Sequence, residues 1–270
     1  MSRSERARQR MLRRRRRTVL GAVLLLVSVL LTTWALRDPA GDHVDAAMAE
    51  STSPDADQSA DADGRADAAA PEPEGTPSPT PTVTERGDGD FEFADVPSDA
   101  EVVGDGGELM TYRVAVENGI GEEPDEFAAF VARVLADERG WTAGGDWRFT
   151  HSDEDWVGFT IYLVSPATRA ELCGSPDTFT SCRNGDAVVI NLERWLLAVE
   201  HWDAPLESYR EYVVNHEIGH RLGEGHVVCP EAGAPSPVMA QQTLELRGCR
   251  ANAWPYVDGE YLTGPLGEYE

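Results

Sequence analysis

The residues best suited to chemistry are three histidines and a glutamate in one short segment. Residues 216–226 read HEIGHRLGEGH and contain three of the six histidines in the chain. His216 and His220 are four residues apart, so on a helix their imidazoles project from one face and can bind one metal ion. Glu217 would face the open side of that ion, where a carboxylate can take a proton from water. The spacing therefore predicts a catalytic metal site.

A glycine and a third histidine extend this pattern. Gly223 is expected to end the helix, because glycine enters the left-handed backbone region without steric penalty. The chain can then turn and bring His226 to the same ion as a third ligand. Three protein ligands leave one position for water, which is typical of a catalytic zinc and not of a structural one. We predict one catalytic Zn²⁺ on His216, His220 and His226. Histidines on a helix surface without a metal are the alternative.

These histidines must be carried by a long helix, and several strands precede it. The helix is predicted to start near Pro205–Ser208 and to run to about Leu222. Pro124 and Asp125 open an earlier amphipathic helix, which is expected to end at Gly140. Alternating or β-rich segments predict strands at residues 110–117, 147–150, 158–165 and 187–192. The pattern indicates an α+β fold with an α/β-like upper layer, in which a mixed twisted sheet lies over the helix.

The first 36 residues have the pattern of a membrane anchor. Residues 1–17 carry nine arginines and one glutamate, and residues 18–36 carry no charge. A helix of that length rises about 28 Å, close to the hydrocarbon thickness of a bilayer. The arginines are expected to keep the N-terminus cytoplasmic and to place the rest of the chain outside as a single-pass protein. The alternative is a cleaved signal peptide and a secreted domain, although the nearest A-x-A pattern, at residues 47–49, lies well beyond the apolar stretch.

Composition divides the remaining chain into a linker and a domain. Residues 37–90 are acidic and proline-rich with few large apolar side chains, which predicts a disordered linker. Residues 91–270 form the predicted domain, with 33 acidic residues against 11 arginines. Such negative charge excludes nucleic acid as an expected partner and favours basic substrates only weakly. The sequence leaves the oligomeric state open.

Four cysteines of the domain predict disulfides, because the domain is expected in an oxidising compartment. Three pairings are possible. The local one, Cys173–Cys182 with Cys229–Cys249, closes two short loops and is the one we expect. A cysteine-bound zinc is the alternative, but the chain lacks the C-x-x-C spacing that such sites use.

The segment 216–226 resembles the signature of the metzincin zinc peptidases, HExxHxxGxxH followed by a methionine-containing turn. All five signature positions match, and Met239 follows His226 by thirteen residues, within Pro-Val-Met. Met239 therefore looks like the Met-turn residue, which forms an apolar floor under the metal ligands. The wider pattern of arginine-rich anchor, stalk and VVNHEIGHRLGEGH is similar to an actinobacterial family of envelope domains whose function is unassigned.

The metzincin resemblance implies hydrolysis of a peptide bond in an extended polypeptide, with Glu217 as the general base. The substrate would lie along an edge strand, for which residues 187–192 are the candidate, although an internal strand is equally compatible with them. No tyrosine directly follows Met239, so Tyr256 or Tyr261 could stabilise the oxyanion instead.

Only 44 residues follow His226, which implies a small irregular C-terminal subdomain braced by Cys229–Cys249.

Two functions other than a peptidase stay open. One is a zinc-binding envelope scaffold without catalysis, and the other is an amidase that acts on the cell wall.

Overall fold

The computed structural model describes residues 81–269. These residues form eight β-strands and four α-helices, in the mixed α+β class that the sequence predicts. The predicted tail and anchor, and the linker up to residue 80, lie outside the described residues. None of the helices within residues 81–269 combines the length and the apolar character needed to span a membrane.

A six-stranded mixed sheet forms the centre of the fold. Its strands are β1 (Phe91–Phe93), β2 (Glu108–Glu117), β3 (Trp147–His151), β4 (Phe159–Val164), β5 (Cys182–Asn184) and β6 (Ala187–Asn191). Strands β2, β4 and β6 are parallel neighbours. The last residues of β2 pair antiparallel with β1, and its first residues pair parallel with β3. The predicted strands are thus all present, and β1 and β5 are additional.

Strand β6 is internal, so the candidate substrate-binding edge at residues 187–192 was wrong. It pairs with β4 on one side and with β5 on the other, which places β5 at the edge of the sheet. Val188, Val189 and Ile190 are fully buried. An apolar run without alternation is typical of a strand that is covered on both faces.

The four helices are α1 (Pro124–Ala136), α2 (Pro166–Cys173), α3 (Leu192–Leu197) and α4 (Leu206–Leu222). Helix α1 begins at Pro124 as predicted but ends before Gly140. Asp137 has an extended backbone there, and its carboxylate accepts a hydrogen bond from the backbone N–H of Arg139 at 2.9 Å. Such a local side-chain bond competes with the next helical turn. Helix α4, the predicted long helix, packs against β5 and β6.

The predicted linker overlaps the folded part of the chain. The backbone N–H of Gly89 donates to the carboxylate of Glu117 at 3.1 Å, and the N–H of Ala167 donates to the carbonyl of Glu85 at 3.1 Å. Glu117 is buried at the end of β2 and also accepts from the N–H of Ser165 at 2.7 Å. Residues 85–90 are therefore held against β2 and α2, because their backbone groups satisfy buried polar partners.

The chain after α4 is mostly irregular, as the sequence predicts. Residues 223–269 contain two short strands, β7 (Tyr256–Val257) and β8 (Glu260–Tyr261), which pair antiparallel. The disulfide Cys229–Cys249 closes a loop in this part, and Cys173–Cys182 joins the end of α2 to β5. Both disulfides match the predicted pairing.

Candidate metal centre

Helix α4 ends at the glycine that the sequence marks as its terminus. Gly223 has φ +98°, its N–H donates to the carbonyl of His220, and the N–H of Glu224 donates to the carbonyl of Gly219. This pair of bonds is the glycine-dependent helix end known as the Schellman motif. The turn also places the carbonyl oxygen of Glu224 3.0 Å from Nδ1 of His220. The helix end thus orients one of the predicted metal ligands.

The three predicted histidine ligands converge through their Nε2 atoms. Nε2 of His220 lies 3.2 Å from Nε2 of His216 and 3.0 Å from Nε2 of His226. The three ligand atoms all lie within 4.8 Å of one another. Two nitrogens that bind a tetrahedral zinc at about 2.05 Å are about 3.3 Å apart. The spacing therefore fits one metal ion held by all three side chains.

Backbone carbonyls fix the tautomers of two of these imidazoles. Nδ1 of His216 donates to the carbonyl of Val238 at 2.8 Å, and Nδ1 of His220 donates to the carbonyl of Glu224 at 3.0 Å. A carbonyl oxygen can only accept, so the ring proton resides on Nδ1 and the lone pair resides on Nε2. This arrangement of outer hydrogen bonds is the one that orients histidine ligands in metal sites.

The third imidazole has a carboxylate partner from the far end of the chain. Nδ1 of His226 lies 3.5 Å from a carboxylate oxygen of Glu268. The terminal segment reaches this position by pairing with the strand-like stretch after His226. The N–H of Val228 donates to Pro265 at 2.9 Å, and the N–H of Gly267 donates to His226 at 3.3 Å. Sequence reasoning missed Glu268, because no local pattern connects it with the motif.

Burial keeps His216 and His220 neutral. His216 is 6% exposed, and burial lowers its pKa well below the usual value, with a further decrease from the neighbouring His220. Burial likewise lowers the pKa of His220 to about 4. A neutral imidazole is the form that binds a metal. At neutral pH both side chains are therefore in the neutral form that can bind a metal ion.

The predicted Met-turn lies against α4, next to the ligands. Met239 is 2% exposed, and its carbonyl accepts a hydrogen bond from the N–H of Val227, which directly follows His226. The preceding residue, Val238, orients His216. The turn is closed by a bond from the N–H of Ala240 to the carbonyl of Pro237 at 2.9 Å. This loop therefore contacts His216 of α4 and Val227, the residue that follows His226.

A cavity of about 300 Å³ opens beside the histidines and contains Glu217. It is lined by the three histidines and Glu217, by residues 180–183 of the edge strand region, by Tyr212 and Val213 of α4, and by residues 241, 243 and 244. Glu217 is 5% exposed, and its Oε2 has no hydrogen-bond partner among the described residues. Burial raises the pKa of Glu217 to about 8, against the opposing charges of Arg169 and Arg183. A buried carboxyl with a free oxygen can exchange a proton with a molecule in the cavity.

The wall of this cavity is held by a buried arginine that sequence reasoning also missed. Arg169 of α2 is 4% exposed and donates to the carbonyl of Ser181 at 3.2 Å and to the hydroxyl of Thr180 at 2.8 Å. It also forms an ion pair with Asp177 at 3.1 Å. These bonds fix the segment that leads into β5. A single arginine in a short helix gives no sequence signal for this role.

The two tyrosines proposed for the oxyanion do not line the cavity. Tyr256 and Tyr261 lie on the β7–β8 hairpin with their ring centroids 5.4 Å apart. The hydroxyl of Tyr261 donates to the carboxylate of Glu224 at 3.3 Å. The side chain of Tyr261 thus links the hairpin to the turn at the end of α4.

Comparison with known proteins identifies a family without a known activity. The chain matches the model of the family described as "Protein of unknown function (DUF3152)" over residues 77–252, which is more than half of its length. The chain belongs to this family, which confirms the predicted membership of a family of unassigned function. No curated protein and no solved structure matches the chain.

Proposed function

We propose that this member of the DUF3152 family is a metzincin-type zinc metallopeptidase, anchored in the membrane by residues 18–36 with its catalytic domain outside the cytoplasm. One observation carries the proposal. The Nε2 atoms of three histidines converge in the cavity that also holds the buried carboxyl of Glu217. Convergent imidazoles with an adjacent carboxyl are the combination that hydrolytic zinc sites use.

The donor set favours zinc over other common cations. All three ligand atoms are imidazole nitrogens, whereas calcium and magnesium prefer oxygen ligands. Three protein ligands leave a position open for water or substrate, which structural zinc sites do not have. When bound, zinc supplies Lewis acidity that polarises a substrate carbonyl and makes water more acidic. The chain itself supplies the orientation of the ligands and the proton transfers.

Glu217 is the proposed general base and then the general acid. Its free Oε2 takes a proton from the water whose oxygen attacks the carbonyl carbon of the substrate. As the carbon–nitrogen bond breaks, the same oxygen returns that proton to the leaving nitrogen. One carboxyl can perform both steps, because it holds the proton between the attack of the water and the departure of the nitrogen.

Strand β5 is the proposed platform for an extended polypeptide. It pairs with β6 on one side and is the last strand in the order of the described sheet. Cys182 and Arg183 of this strand also line the cavity. A peptide that adds to the free edge would receive main-chain hydrogen bonds and pass beside Glu217.

The test compares the purified full-length protein with its Glu217→Ala variant. We expect both proteins to contain one zinc per chain and only the unmutated protein to cleave an unstructured protein such as casein. If the protein retains zinc but shows no cleavage that depends on Glu217, the proposed peptidase function is refuted. A zinc-binding scaffold would then be the remaining function. Cleavage of peptidoglycan fragments but not of protein would show an amidase instead.

A further inference from the structure

Arg183 is an exposed arginine of β5 at the cavity, and its guanidinium makes no hydrogen bond or ion pair with other groups of residues 81–269. Other surface arginines are used differently. Arg133 is paired with Glu207 at 2.9 Å, and Arg139 is paired with Asp137 at 2.8 Å. From residue 91 onward the chain has 33 acidic residues against 11 arginines, so acidic partners are abundant. Arg183 lies beside the candidate site without an acidic partner among the described residues, and it is therefore available to a ligand.

Arg183 lies at the centre of the proposed chemistry by position. Its side chain lines the same cavity as the carboxyl of Glu217 and the imidazole of His220. Among the described residues that line the cavity, Glu217 is the only acidic one. The nearby guanidinium of Arg169 is already paired with Asp177 at 3.1 Å. Arg183 is therefore the cationic side chain of the lining with which an entering group can pair.

The base of the Arg183 side chain is held in place. Arg183 lies opposite Val188 in the antiparallel pairing of β5 with β6. The residue before it, Cys182, is joined to α2 by a disulfide, and Ser181 accepts a hydrogen bond from Arg169. These contacts fix the backbone of residues 181–183. The Arg183 side chain therefore starts from a fixed point beside the cavity.

We propose that Arg183 selects substrates that carry a carboxylate close to the bond to be cut. This inference rests on the proposed hydrolytic function and names its substrate class. A guanidinium binds a carboxylate through two parallel hydrogen bonds, which neither an amide nor a cation can reproduce. The carboxylate can be an Asp or Glu side chain or a free C-terminus, since both present the same group.

Local charge, and not the net charge of the domain, determines this preference. At physiological ionic strength, exposed charges farther apart than about 8 Å are largely screened from one another. The acidic surface therefore has little influence on a group that is already inside the cavity. The sequence favours basic substrates weakly from net charge, whereas Arg183 favours acidic ones from its position.

The experiment uses the full-length zinc-loaded protein and four quenched fluorescent peptide libraries. The libraries are degenerate except at one fixed position, Glu or Gln, and at the C-terminus, free or amidated. Arg183→Ala, Arg183→Lys and Arg183→Glu are compared with Arg133→Ala, an exposed arginine on α1 that does not line the cavity. We expect Arg183→Ala to raise KM about tenfold for the preferred carboxylate library, which corresponds to losing about 1.4 kcal/mol from an exposed guanidinium–carboxylate pair. The kcat and the zinc content should stay unchanged, Arg183→Lys should recover part of the loss, and Arg183→Glu should reverse the preference.

The two pairs of libraries distinguish a side-chain carboxylate from a terminal one. If Arg183→Ala changes KM equally for all four libraries, or for none of them, the inference about Arg183 is wrong. The peptidase function is unaffected by that result, because the unmutated protein still cleaves the libraries. Binding of the same libraries to the Glu217→Ala variant, followed by fluorescence anisotropy, separates the two failures. The protein could bind the carboxylate libraries, lose that binding in Arg183→Glu, and yet cleave no peptide. That result would refute the peptidase function but support carboxylate recognition by Arg183. Binding that ignores the carboxylate would refute the recognition.

Discussion

Gly219 and Met239 pack so closely that a Cβ atom at position 219 would lie 2.3 Å from the Met239 sulfur. The same atom would lie 2.6 Å from the ring of Trp141, so it is confined from two directions. Gly219 directly precedes the proposed ligand His220, and Met239 directly follows Val238, whose carbonyl orients His216. The absence of a side chain at position 219 therefore sets how close the loop around Met239 comes to helix α4.

Gly219→Ala should destabilise the protein and weaken metal binding. The added methyl group overpacks a buried contact, which costs about 1–3 kcal/mol. The better helix propensity of alanine offsets at most about 1 kcal/mol of this. Urea denaturation measures the stability, and competition with a chromophoric chelator measures the zinc affinity. Gly225→Ala is the matched control, because a Cβ atom there meets no atom within 4 Å. A Gly219→Ala protein as stable as the control would contradict this packing argument.

Glu268→Gln should weaken zinc binding without unfolding the domain. The variant keeps the shape of the side chain but removes the negative charge 3.5 Å from Nδ1 of His226. Loss of an outer partner typically costs 10–100-fold in metal affinity. Because the Glu268 side chain is 77% exposed, we expect about tenfold or less. Zinc titration against a chelator checks this value. Glu245→Gln, which removes a surface partner of Arg247, should leave the affinity unchanged. Equal affinities for both variants would show that Glu268 does not support His226.

Helix α4 and its end could be predicted from the sequence, because their signals are local. Spacing of four residues places His216 and His220 on one helix face, and Gly223 marks the helix end by its backbone freedom alone. The disulfide partners were also predictable, since they are close along the chain. The internal position of β6 was also indicated by the sequence, because its apolar residues run without alternation.

The parts that could not be predicted depend on contacts between distant segments. Strand β5 has three residues, too few to show an alternating pattern, and only its pairing with β6 defines it. Glu268 reaches His226 because the terminal segment pairs with the chain after the motif. Arg169 acquires its role only when α2 packs behind the cavity wall. Sequence periodicity carries no information on contacts between distant segments. The convergence of the three histidines was therefore predictable, and most of the residues that support them were not.

Removal of the metal should lower the melting temperature of the protein. A ligand that binds only the folded state stabilises it by about 2.7 kcal/mol at a free concentration one hundred times Kd. We therefore expect 1,10-phenanthroline to lower the Tm, and added zinc to restore it. The His216→Ala/His220→Ala double variant should melt at one temperature with or without chelator. His151→Ala should still respond, because this histidine stacks on Tyr112 and lies outside the metal cluster. If the chelator does not change the Tm of the unmutated protein, the result would argue against a bound zinc.

Removal of the Cys173–Cys182 disulfide should reduce catalysis more than metal binding. This bond ties the edge strand β5 to α2, whereas the three histidines lie on α4 and in the loop that follows it. Loss of a disulfide that closes a short loop costs about 2–3 kcal/mol, and here the loosened element is the proposed substrate platform. The Cys173→Ser/Cys182→Ser variant should therefore keep its zinc but lose kcat/KM for peptide cleavage. The Cys229→Ser/Cys249→Ser variant is the comparison, since that bond closes a loop after the ligand His226 and contributes nothing to β5. If both variants lose zinc and activity in parallel, the disulfides act on global stability, and the assignment of β5 as platform loses this support.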